Sequence, residues 1–160
     1  MNLYGDAIQA YKELVRLTPD WKDAWQHLGH TYYLIRHYEN ALQSYSKAVE
    51  IDPGYYPAWG SLGLTYYALG NYEKAIEAGS KAISIKPDEL WIQSTLALST
   101  FLAGNIPQAA IEYDKVMILA KTREELQPMI SALEEALSRS PEAEKGKEIL
   151  EKLKKVISEK

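Results

Sequence analysis

One spacing constrains this chain more than any other: a pattern of residues returns after 34 positions. Trp25-Gln26-His27-Leu28-Gly29-His30-Thr31-Tyr32, then Ala41, Ala48 and Pro53, is answered by Trp59-Gly60-Ser61-Leu62-Gly63-Leu64-Thr65-Tyr66, then Ala75, Ala82 and Pro87. Trp25, Leu28, Tyr32 and Ile35 fall at helical spacing and mark one buried face. Ala41, Tyr45 and Ala48 lay a small-large-small stripe on a second helix, and Pro53 ends it because the residue before proline avoids helical geometry. Each period is therefore a pair of antiparallel helices. One pair cannot bury its own apolar face, so neighbouring pairs stack.

The rest of the chain falls into the same register. Tyr4, Ala7, Tyr11 and Pro19 sit 34 positions before Tyr38, Ala41, Tyr45 and Pro53, so residues 4–20 read as the second helix of a pair without its first. This half repeat is either a cap or the cut edge of a longer array. The second reading is preferred, since end repeats carry a polar outer face. Full repeats are expected at 22–55, 56–89 and 90–123, the third having drifted: Gln93 replaces the Trp, Ala97 the Gly, Thr100 the Tyr and Lys121 the Pro. Gly79 stands where Tyr45 stood, and a neighbour such as Trp91 is expected to fill the space; the alternative is a pocket beside Ala78, Gly79 and Ser80. Residues 124–160 read as a degenerate capping pair, which makes 1–160 a single array of nine helices.

Local signals mark several ends. Asp20 is placed to cap the helix that follows it, Asn105 to cap the second helix of the third pair, and Thr122 with Glu125 to form a capping box. Pro128 should kink its helix or mark its start, and Ser140-Pro141 should open the last one.

Period and pattern together resemble the tetratricopeptide repeat family. The resemblance implies an all-α, TPR-like α-solenoid of antiparallel helix pairs that winds into a right-handed superhelix. It also implies that the first helices line a concave groove. The groove residues expected are His27, His30 and Tyr33, then Gly60, Ser61, Leu64 and Tyr67, then Trp91, Ser94, Leu98 and Phe101. None is charged; only Asp23 lies at the edge. Some family members hold acidic chaperone tails with Lys, Asn and Arg, but the matching positions here are Gln26, His30, Ser61, Trp91 and Thr95. Others use a ladder of groove asparagines, where this chain has His27, Ser61 and Thr95. Neither activity carries over.

Composition narrows the function. A formal net charge of -4 argues against a phosphate-binding surface, hence against nucleic acid. With no cysteine there is no disulfide framework and no thiol metal site, which is compatible with the cytoplasm. No apolar run reaches membrane-spanning length. No glycine-rich phosphate loop or nucleophile elbow appears, so the chain reads as non-enzymatic and without cofactor. Asp23, His27 and His30, at i, i+4, i+7, are a weak candidate for a zinc site; the stronger reading is a helix-start carboxylate and two groove-lining histidines. The expected function is a scaffold that binds a peptide or helix of a partner protein in a largely apolar groove. The alternative is a substrate-docking or regulatory region of a larger enzyme. The uncovered stripe of the half repeat points to self-association.

Overall fold

The computed structural model describes residues 3–139 and 144–159, and among these it contains nine helices and no strand. They are α1 (Leu3–Leu17), α2 (Lys22–Leu34), α3 (Tyr38–Ile51), α4 (Tyr56–Ala68), α5 (Tyr72–Ile85), α6 (Leu90–Leu102), α7 (Ile106–Leu119), α8 (Arg123–Arg139) and α9 (Glu144–Glu159). They form two compact units, Met1–Lys86 and Pro87–Lys160. The expected opening at Ser140-Pro141 lies outside the described residues.

In the first unit, α2 pairs with α3 and α4 with α5, while α1 rests on α2 and α3 on α4. Of the stripes read from the sequence, Leu28, Tyr32, Ala41, Tyr45 and Ala48 are buried, while Trp25 and Ile35 pack against this core only partly buried; Ala24, Ala58 and Leu62 complete it. Within the first pair a ring fits against a helix that has no side chain to oppose it. A Cβ on Gly29 would stand 2.7 Å from the Tyr45 ring. The second pair lacks that ring and closes differently. A Cβ on Gly63 would stand 3.2 Å from the backbone oxygen of Ala75 and 3.2 Å from the backbone nitrogen of Gly79. With Gly79 in place of Tyr45, the helix backbones themselves approach. No neighbour is needed to fill the space, and Trp91, expected to do so, is 40% exposed.

Recurring polar contacts fix where each pair begins. The Trp25 indole donates to the Pro19 carbonyl at 2.8 Å, and the Trp59 indole to the Pro53 carbonyl at 2.9 Å. The Trp and the Pro that ends the preceding helix thus recur together because one binds the other. Asp20 is not the cap of α2: the N-cap is Trp21, with no side-chain cap bond.

In the second unit, α6 pairs with α7, and both α6 and α7 are in contact with the α8–α9 pair. Gln93 occupies the Trp position and turns instead to the buried Glu112, donating at 2.6 Å. Gln108 and Lys115 complete the ring of donors around that carboxylate, at 2.5 and 2.9 Å. These three partners hold the Glu112 carboxyl below the usual range against the opposing effect of burial. The Asn105 cap forms, its side chain accepting from the Gln108 amide. So does the capping box: the Glu125 amide donates to the Thr122 hydroxyl, and the Thr122 amide to the Glu125 carboxylate, each at 3.3 Å. Helix α8 starts at Arg123 and carries Pro128 inside it, so Pro128 does not mark the start.

Candidate functional site

The pairing that buries one stripe of α2 and α4 leaves another uncovered. In the first unit this uncovered face presents His27 and His30, which are exposed, and Tyr33, Ser61, Leu64 and Tyr67, which are half-buried. Gly60 is buried. Two links hold the face together. The Gln26 side-chain amide donates to the Ser61 hydroxyl at 2.9 Å, tying α2 to α4. Tyr11 of α1 stacks on His27 with centroids 5.7 Å apart. Ser61 lies 34 positions after His27 and bonds Tyr45, which lies 34 after Tyr11, so the same junction is built twice with different chemistry.

Tyrosines line one end of the face. Tyr33 meets Tyr38 at 5.5 Å between centroids, and Tyr67 meets Tyr72 at 6.2 Å, both tilted. The Tyr33 phenol is pushed up by burial and by the neighbouring Tyr38 and Tyr67 phenols. Such rings offer contact area with few rotamers to freeze, and a hydroxyl at the tip.

The Asp23 carboxylate is taken up by partners within the chain. One carboxylate oxygen accepts from the Tyr55 hydroxyl at 2.6 Å and the other from the Trp21 indole at 3.1 Å. Both oxygens are engaged, His27 lies against Tyr11, and among the described residues no group of three His, Cys, Asp or Glu is placed to hold a metal ion. The Tyr55 hydroxyl, and after it the Trp21 indole, lower the Asp23 carboxyl below its usual range. Burial first, then Asp23, pushes the Tyr55 phenol up.

The second unit carries the remaining expected residues, and it divides them. Trp91 and Ser94 line a cavity of ≈ 620 Å³ whose apolar walls include Leu90, Leu119, Pro128 and Met129. The Ser94 hydroxyl lies 3.0 Å from the Met129 sulfur. Leu98 and Phe101 are not part of an accessible floor. They are 9% and 4% exposed, and a Cβ on Gly146 of α9 would stand 2.7 Å from the Phe101 ring. The glycine admits the ring, and α9 takes it into the core. Sequence reasoning treated α9 as a solvated cap and so missed that cover.

Two further features escaped the sequence. A cavity of ≈ 650 Å³ opens on the first unit between α1, α2 and α3, with Lys12, Val15, Trp25, Leu28 and Lys47 among its walls. Arg36, in the turn from α2 to α3, has φ 61°. The 34-residue register itself signals that second feature, because Gly70 and Gly104 occupy the same position.

The geometry defines a class first: among the described residues, an all-helical protein built of helix pairs. Residues 23–55 and 56–89 each match the family model of the tetratricopeptide repeat, and these two segments are tetratricopeptide repeats. A crystal structure of MamA protein is similar at 30% identity and TM-score 0.69, over 74% of this chain and 64% of that one. The chain thus spans less than two thirds of that relative's length. Another crystal structure of MamA aligns at 21% identity and TM-score 0.77, over 98% and 90% of the two chains. TTC0263, a thermophilic TPR protein of Thermus thermophilus, aligns at 18% and 0.65, over 94% and 90%; these last two likenesses show the fold alone. No curated protein sequence matches the chain. Repeats of this family generally mediate protein–protein interactions and are typically non-enzymatic scaffolds. Among the described residues no helix is long and apolar enough to cross a membrane.

The Asp23–Tyr55 bond ties α2 to the N-cap residue of α4 and yields a pH test. A carboxyl lowered in the folded state contributes stability above its unfolded pKa and loses it as pH falls through the folded value. Tyr55→Phe is therefore expected to cost about 1 kcal/mol at neutral pH. Its deficit against wild type should shrink in urea melts taken below the ordinary carboxylate range of about 4. A deficit that does not change with pH would contradict the assignment.

Proposed function

We propose that the chain is a non-enzymatic scaffold that binds a peptide or helix of a partner protein on the uncovered face of α2 and α4. The Trp91–Ser94 cavity of the second unit is proposed to contribute a separate contact. The observation that carries this reading is the side-chain chemistry of the first face. Tyr33, Leu64 and Tyr67 are half-exposed rings and aliphatic groups beside the small Gly60 and Ser61, with no charged side chain among them. A few anchors of this kind suit an amphipathic helix or an extended apolar segment. So small a face supports an affinity of roughly micromolar. The alternative, a docking or regulatory region of a larger enzyme, uses the same face and differs only in what the partner or parent chain does.

The test is capture of partners with this chain as bait, repeated with Leu64→Glu. The expected result is a folded variant whose binding weakens by about 30-fold or more, the scale of losing one anchor of ~2 kcal/mol. Binding to wild type should change little between roughly 0.05 and 0.5 M salt, because the face is uncharged. A variant that still holds the partner would overturn the assignment of the face.

A second reading concerns α1. Ala41 and Tyr45 of α3 are 0% and 1% exposed because α2 covers them. Their counterparts on α1, Ala7 and Tyr11, are only half-buried, and Leu3, Tyr4 and Leu17 are 74%, 48% and 62% exposed. We infer that this stripe takes a second copy of the chain, since exposed apolar patches of this kind mark association sites. Light scattering should show mass rising with concentration; a strict monomer at about millimolar concentration would remove the idea.

A further inference from the structure

A furrow on the first unit is left unfilled by the packing, away from the face that presents His27 and Tyr33. Helices α1 and α3 both rest on α2. Between them three cavities run end to end, of ≈ 640, ≈ 650 and ≈ 620 Å³. The first and second share Lys12, Tyr32 and Asn40 as walls, and the second and third share Trp25, Lys47 and Glu50. They are therefore one furrow, which runs from Tyr4 near the start of α1 to Pro19 just beyond its end. At 1.5 Å per helical residue that is about 20 Å. On α2 the furrow meets Trp25, Leu28 and Tyr32, whereas His27, His30 and Tyr33 belong to another side of that helix.

The furrow is deep and narrow. Val15, Leu28 and Tyr32 line it, yet they are only 7%, 3% and 8% exposed. An α-helix, about 10 Å across with its side chains, cannot reach a floor so covered. A linear chain one methylene wide can. Protein interiors leave few voids of this size, and small-molecule sites are apolar clefts of about 300–1,000 Å³ in which a few polar groups fix orientation. Two lysines stand on the rim, one from each wall. Lys47 of α3 is engaged by Glu50 at 2.5 Å. Lys12 of α1 is exposed, and among the described residues no carboxylate pairs with it. An ammonium above an apolar slot complements in charge an anion that carries an apolar tail.

We propose that this furrow binds a fatty carboxylate as a free monomer, with the alkyl chain in the slot and the carboxylate at Lys12. The chain supplies the affinity, since each methylene taken out of water adds roughly 4-fold. The exposed lysine contributes about 2- to 5-fold and sets which way the chain lies. A membrane is not the occupant, because a lipid surface does not reach the floor of a narrow slot. The site is separate from the α2–α4 face and does not rest on the scaffold reading.

The test is calorimetric titration of the full chain with octanoate, decanoate and dodecanoate below their micelle concentrations, with decanol as the neutral control. Wild type should bind about 4-fold more tightly per added methylene, and dodecanoate should raise the melting temperature, since a ligand of the native state stabilises it. Lys12→Glu should weaken decanoate by about 3- to 10-fold and leave decanol unchanged, because attraction is replaced by repulsion at an exposed position. Ser46→Phe puts a ring on a half-buried position of the furrow wall and should abolish binding of both while helical content is kept. Leu64→Glu should bind like wild type. Affinity that does not grow with chain length, a melting temperature that falls, a Lys12→Glu chain that binds decanoate as before, or a Ser46→Phe chain that still binds would each overturn the proposal. Loss of binding in Leu64→Glu would assign the ligand to the α2–α4 face and overturn it as well.

Discussion

The structure of the first unit depends on how closely the two helices of a pair can approach. A ring on one helix needs a position on the other with no side chain, and Gly29 supplies it for Tyr45, which is 1% exposed. Interiors are packed to crystal density, so a contact this tight leaves no room for even one methyl. Where the ring is lost, at Gly79, the same kind of glycine on the facing helix, Gly63, lets backbone meet backbone. The two pairs reach the same architecture through different chemistry because each removes the void. The glycines cost helix propensity, about 1 kcal/mol each relative to Ala, and the packing they permit offsets it.

That constraint also fixes what faces outward. Once Ala24, Leu28, Tyr32, Ala58 and Leu62 are committed to the core, His27, His30, Tyr33, Leu64 and Tyr67 are left uncovered by helical geometry. The Gln26–Ser61 bond then holds the two first helices at a set spacing, so the uncovered residues form one surface. A rigid frame with a tolerant surface is the physical basis on which repeat proteins vary their partners.

Much of this was legible in the sequence because the signals are local or periodic. The helix pairs, the buried stripes, the Asn105 cap and the Thr122–Glu125 box depend on spacing alone. The misreadings share a different cause: each depended on a contact that spacing does not encode. Asp20 yielded its expected cap position to Trp21, while Asp23 was taken up by Tyr55, the N-cap residue of α4. Leu98 and Phe101 hold groove positions by register but are buried, and Gly146, 45 positions beyond Phe101, is what admits its ring. The gap at Gly79 closed by backbone approach, which no side-chain inventory reveals. Arg36 was readable in principle, from its alignment with Gly70 and Gly104, as the left-handed residue of its turn.

The claim that glycine-permitted close approach organises the first unit is tested most directly by thermal and urea melts of Gly29→Ala. Intrinsic propensity alone favours the alanine by about 1 kcal/mol. The packing account predicts the opposite sign, because a Cβ 2.7 Å from a fully buried ring forces that ring or a helix to move. The variant should lose about 1–2 kcal/mol of stability while keeping its helical content. A variant as stable as wild type, or more stable, would contradict the account.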